Sequence, residues 1–104
     1  MISRHWKGVA KRGQADHYVD HLRTDRFPKL SGIEGFIRAY ILTRPVDQGT
    51  EFLIITTWRS MEAIERFAGQ TVDAAVVPDP VQDMMIECDR TVVHYEVSET
   101  YTPE

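Results

Sequence analysis

Cysteine is nearly missing from this chain. Cys88 is the only one in 104 residues, so no intrachain disulfide can form, and a reducing, cytoplasmic setting is expected. Positive charge is also scarce. Twelve Lys and Arg stand against sixteen Asp and Glu, the formal net charge is −4, and no basic tract stands out. That balance argues against general nucleic-acid binding, which needs a basic face to neutralise phosphates. No apolar run approaches the ~20 residues of a membrane-crossing helix. The opening Met1–Gly8 lacks the apolar stretch of a secretion signal, and no membrane partner is expected. The glycine-rich dinucleotide loop, the phosphate-binding loop, the nucleophile elbow and the His-Glu-x-x-His zinc motif are all absent. So are repeats, low-complexity tracts and linkers. The chain reads as one domain over residues 1–104, with residues 98–104 a polar tail that frays.

What is present is a sheet-forming pattern interleaved with two helices. The most informative stretch is Thr50 to Gly69, in which the apolar run Phe52-Leu53-Ile54-Ile55 ends on Trp58 and passes through Ser60 into an amphipathic helix. Ser60 suits an N-cap, Glu62 can pair with Arg66 at i,i+4, and Gly69 suits the position just past the helix end. Met61, Ile64, Phe67 and Ala68 make the buried stripe. Earlier, the pattern predicts a strand over Ile2–Ala10 and a helix from Gln14 to about Arg26. The apolar face of that helix is Ala15, Tyr18, Val19 and Leu22, and it ends or kinks at Phe27-Pro28. Strands are expected at Phe36–Arg44 and Thr50–Arg59, joined by a short loop after Pro45, and a last strand at Cys88–Val97. Thr71–Val77 reads as a further helical turn or two, and Val81–Ile86 has no clear form.

The order β-α-β-β-α-β is that of a ferredoxin-like α+β domain with a four-stranded antiparallel sheet. Crossover rules put strand four beside one and two beside three, with strands one and three side by side and, on this reading, parallel. The helices cover one face. On strand two, Ile37, Ala39 and Ile41 suit that face, leaving Phe36, Arg38, Tyr40 and Leu42 on the other. Strand three is apolar on both faces, whereas a sheet with one wet face should alternate. A second copy of the chain, sheet against sheet, would cover the surplus, so a homodimer burying more than ~1,000 Å² is expected. The opposite face of strand one (Ser3, His5, Lys7, Val9) is too polar to pack well on helices.

The segments GFIRAYILTR, EFLIITTWRSMEAIERFAG and VVHYEV resemble the antibiotic biosynthesis monooxygenase family of dimeric α+β barrels over about Ile2 to Val97. The resemblance implies a pocket between helices and sheet or inside the barrel, often lined by the Trp that corresponds to Trp58. It further implies an oxygenase that needs no cofactor and acts on a phenol-, quinol- or anthrone-like aromatic. The haem-degrading branch carries Asn on the first strand and His on the helical segment after the Trp. Here the first-strand position is Trp6, and no His lies between Trp58 and His94, so no obvious residue would ligate haem iron. The alternative is a non-catalytic dimeric module that binds a small ligand or assists a pathway.

The candidate catalytic residues are His94, Arg4 and Trp58. His94 is a possible base, with Glu96 on its face to orient it, or else an interface histidine. Arg4 shares a strand face with Trp6 and could stabilise an oxyanion, or pair with the indole as cation on ring. Trp58 is either a core aromatic or a pocket wall. The candidate substrate contacts are Trp6, Arg38, Tyr40 and Phe67; Arg38 and Tyr40 equally suit a dimer interface. His17 and His21 have a metal-compatible spacing but both are expected to face water; His5 joins no constellation, and Cys88 has no activating partner. No metal and no cofactor is expected.

Overall fold

The computed structural model describes residues 1–103. Five strands form one antiparallel sheet: β1 (Ile2–Lys11), β2 (Phe36–Val46), β3 (Gly49–Trp58), β4 (Met85–Cys88) and β5 (Val93–Glu96). The order is β2-β3-β1, with β4 and β5 both on the outer edge of β1. This is the ferredoxin-like α+β arrangement, with one correction of direction. β1 and β3 are neighbours but antiparallel, Arg4 facing Thr56 and Trp6 facing Ile54. The helical crossover returns the chain parallel to β1 in β2, and the hairpin then reverses it, so β3 must run opposite to β1.

The expected last strand is two strands. β4 pairs Gly8–Ala10 and β5 pairs Ile2–His5, with a break between them. Within the break, Asp89 donates its N–H to Lys7 O, accepts the Trp6 indole N–H at 3.0 Å, and takes Lys7 N–H on its carboxylate at 3.2 Å. Thr91 turns outward to bridge Ala74. The Thr71–Val77 stretch is therefore tied to the sheet edge and is not helical beyond a turn.

The first helical region is α1 (Ala15–His21), a π-helical segment (Leu22–Arg26) and α2 (Phe27–Ser31), so the chain stays helical through Pro28. A proline ring in a regular helix meets the carbonyl four residues back, here that of Thr24. The widened π turn immediately before Pro28 makes room for it. Pro45 likewise lies inside β2, which tolerates it because β2 is an edge strand. The helix α3 (Met61–Ala68) matches its sequence signals: Ser60 Oγ accepts from Ala63 N, and Gly69 has φ +78°. The indefinite Val81–Ile86 stretch is mostly α4 (Asp79–Met84).

Two apolar clusters lie between the sheet and the helices. One gathers Tyr18, Leu22, Phe52, Ile54, Val81 and Met85, and the other Leu30, Trp58, Ala63 and Ile64. The side of β1 turned to the helices is Arg4, Trp6, Gly8 and Ala10, so its polar alternate residues lie on the far face. There, Tyr40, Leu42, Val93 and Tyr95 remain 45–56 % exposed.

Candidate functional site

A cleft opens between α1, the π segment and the sheet. Its floor is Arg4, Trp6, Ile54 and Thr56. These lie at paired positions of two antiparallel strands and alternate onto one face. The helical wall carries Tyr18, His21, Leu22 and Arg26. Phe67 closes one side, and the irregular Val76-Val77-Pro78 forms the rim. The cavity volume is about 70 Å³, well under the ~300 Å³ usual for a drug-sized ligand. The lining is mainly apolar and aromatic. Trp6 and Tyr18 lie with ring centroids 6.0 Å apart. A Cβ on Gly8 would stand 2.6 Å from Cη2 of Trp6, so glycine there lets the indole lie against the strand.

Arg4 is 5 % exposed and fully engaged in tying elements together. It donates to the carbonyls of Val72 and Ala74 and to Nε2 of His94 at 2.9 Å. Its guanidinium also lies 5.7 Å from the Phe67 centroid. Burial lowers its pKa, opposed by the Asp73 charge. Because arginine only donates, His94 Nε2 must accept, which places the imidazole proton on Nδ1, facing Asp73 Oδ1 at 3.1 Å. Burial first, and then the Arg4 charge, hold the His94 imidazole below its ordinary value, with Asp73 opposing. The lone pair a base would use is thus occupied, and His94 does not line the cavity.

Trp58 is wholly buried behind the cavity. Its indole N–H donates to Thr56 Oγ1 at 2.9 Å, and its ring stacks on Phe67 and meets Phe36 edge-on. Trp6 and Phe67 do line the cavity, and Arg38 and Tyr40 do not. They point from β2 to the opposite sheet face, where Arg38 pairs with Thr57 and Tyr40 with Ile55. The structure therefore brings Arg4, Trp6 and Phe67 together, sets Trp58 and His94 just behind them, and separates Arg38 and Tyr40.

Three polar residues of the helical wall were not singled out as site residues from the sequence. Arg26 lies 5.3 Å above the Phe67 ring, with only a long 3.5 Å contact to Val76 O, and its pKa is lowered by burial. Tyr18 is 3 % exposed, and burial raises its phenol well above the ordinary value, with Arg26 opposing. His21, expected to face water, lines the cavity, and its Nε2 is buried without a hydrogen-bond partner among the described residues. His17 does stay exposed. His21 lies in the regular backbone of α1, about 60° round the helical wheel from Tyr18, which puts it at the edge of the apolar stripe and not opposite it; an irregular π turn follows at Leu22. The nearby Pro28 was the available signal for that irregularity. His5 sits on the far face beside Ser3 and Tyr95. Burial raises the Cys88 thiol, which keeps it protonated. No cluster of three metal-ligating side chains occurs among the described residues.

A ferredoxin-like sheet with an aromatic-lined cleft under its helices defines a class of small α+β proteins that enclose ligands against the sheet. Within that class, the sequence model of the antibiotic biosynthesis monooxygenase family matches residues 1–72, and the chain belongs to that family. A comparison with curated proteins found no match. Several solved structures share the fold. One is a variant of MhuD with two manganese protoporphyrin IX molecules per active site, the haem degrader of Mycobacterium tuberculosis. It has a TM-score of 0.70 at 16% identity, over 99% of this chain and 100% of that one. Another is SnoaB, a cofactor-independent oxygenase from Streptomyces nogalater, with 0.66 at 16% identity over 95% and 94%. A third is the Streptomyces coelicolor monooxygenase from ActVA-Orf6 bound to nanaomycin D, with 0.64 at 11% identity over 99% and 92%. At these identities the likeness is one of fold.

Proposed function

We propose that this chain is a homodimeric, cofactor-independent monooxygenase whose substrate is a small electron-rich aromatic bound in the cleft beneath α1. The observation that carries the reading is the cleft itself: aromatic sides from Trp6 and Phe67, with cationic Arg26 on its helical wall, in a chain of this family. In such chemistry the substrate anion supplies the electrons. A phenol loses its proton, the phenolate passes an electron to O₂, the radicals combine at the ring carbon para to the oxygen, and that carbon then loses its hydrogen. One oxygen atom becomes the product carbonyl, and the other leaves as water with the two hydrogens. The protein's part is to exclude water, orient the ring and stabilise the anion. SnoaB, of the same fold, is described as working without a cofactor.

Haem fits this chain poorly. The first-strand position carries Trp6, the segment between Trp58 and His94 holds no His, and a 70 Å³ cavity is far below the size of a porphyrin. The non-catalytic reading has its own support in that small volume and in the Arg4–His94 pairing, which uses both groups structurally. Oxygen-electrode measurements with anthrone- and quinol-type compounds decide between the two. The oxygenase reading expects uptake that survives chelator treatment, one O₂ per product. No uptake across a broad panel overturns it.

A further inference from the structure

The cavity is apolar on its sheet side, yet its helical wall presents three hydrogen-bonding groups that the protein leaves largely unused. His21 Nε2 is buried and has no hydrogen-bond partner among the described residues; its ion-pair contact with Asp25 Oδ2 is long, 3.9 Å, and Asp25 is engaged more closely by Lys29 at 3.0 Å. The Tyr18 hydroxyl makes no hydrogen bond among the described residues and is held neutral by burial. Arg26 holds its guanidinium over Phe67, short of one good acceptor. A buried polar atom without a partner costs about 1–3 kcal/mol. In a native structure such an atom calls for an explanation, and a ligand is one, beside an ordered water or an ion. All three residues belong to α1 and the π-helical turn that follows, and π turns gather at functional sites.

We infer that this wall, Tyr18-His21-Arg26, is the subsite for an anionic oxygen, and that the ligand is a single-ring aromatic bearing a carboxylate or phenolate. This deepens the proposed function and rests on the cleft being the ligand site. The charge follows from Arg26. No carboxylate lines the cavity; Asp25 opposes the Arg26 charge only from outside it and is engaged by Lys29, and the other lining cation, Arg4, is already held by two carbonyls and an imidazole. The size follows from the small cavity, about 70 Å³, which favours one ring over a fused ring system. A guanidinium N–H and the Tyr18 O–H donate to the ligand oxygen, and His21 Nε2 offers a third polar contact.

Isothermal titration calorimetry of the intact protein with benzoate, 4-nitrophenolate, benzyl alcohol and toluene tests this. Benzoate or 4-nitrophenolate should bind about tenfold or more tightly than benzyl alcohol, the factor expected of one charge-assisted hydrogen bond. In Arg26→Met that preference should vanish, and in His21→Phe it should weaken. Should either variant fail to fold, ¹⁵N spectra of the wild-type imidazoles serve instead: benzoate should move the His21 resonances and leave those of exposed His17 in place. Equal affinity for acid and alcohol, an unmoved His21, or no binding of any probe up to ~10 mM overturns the inference. An anion preference without oxygen uptake would remove the oxygenase reading and leave this subsite standing.

Discussion

Trp58 shows how one side chain divides structure from chemistry. It stands at a strand end, where a pocket wall is plausible, but it is enclosed by Phe36, Phe67, Leu30 and Ile64, and its N–H is satisfied by Thr56. Its burial makes it a stability residue. Trp58→Ala should cost about 3–5 kcal/mol in urea unfolding, through lost transfer energy and the cavity left behind. Loss of activity or ligand binding with an unchanged unfolding midpoint would show that the ring acts on the cleft. Trp6 differs: its ring lies on the cleft floor, with its N–H held by Asp89 O. Phe67 spans both regions, covering Trp58 on one side while Arg4 and Arg26 approach its ring.

At the scale of elements, the irregular Thr71–Pro78 stretch is held by a charged latch. Arg4 reaches from β1 to the Val72 and Ala74 carbonyls, His94 from β5 accepts from Arg4, and Asp73 of the stretch itself receives the imidazole N–H. Protonating His94 would set imidazolium against guanidinium and remove that acceptor. The pH dependence has a definite sign. The folded pKa of His94 is lowered, so the unfolded chain takes up the proton first as pH falls. The contribution to stability is full above the ordinary histidine value and is lost as pH drops from there through the lowered folded value. Melting temperature should therefore fall more steeply below about pH 6.5 in wild type than in His94→Asn, whose amide oxygen can accept from Arg4 without titrating. Parallel profiles for the two proteins would dismiss the latch. Hydrogen exchange over residues 71–78 should quicken over the same interval in wild type.

At the scale of the whole molecule, the proposed assembly rests on the far sheet face. Tyr40, Leu42, Val93 and Tyr95 are about half exposed, and Leu53 and Ile55 lie on the same face, on a monomer that covers only its other face with helices. A patch of that kind on a soluble protein marks an interaction surface, and a two-fold copy of itself is the proposed occupant. Sedimentation equilibrium at ~10 µM should give twice the 12.0 kDa of one chain. Leu42→Glu should move the mass toward the monomer and lower the melting temperature. A monomeric wild type would rule the assembly out. In the proposed dimer, Arg38 and Tyr40 would bear on assembly and not on substrate.

Sequence alone determined the elements whose signals are local. The Ser60 cap, the Gly69 stop and the α3 stripe each depend on neighbours within a few residues, and each is found in the fold; the alternation on β2 holds from Arg38 to Leu42, while a bulge turns Phe36, expected on the far face, to the helix side against Trp58. Even the order of neighbouring strands followed from the succession of elements. The cleft was only half legible, because its members come from β1, β3, α1, the π turn and the rim, brought together by packing. Arg4, Trp6 and Phe67 could be placed by strand and helix periods. Arg26 could not, since it ends a π turn that changes the helical period, and His21 sits at the edge of the α1 stripe, where the wheel alone does not decide between water and cleft. What His94 can do was settled by tertiary contact: only in the fold does its lone pair meet Arg4, a residue 90 positions away.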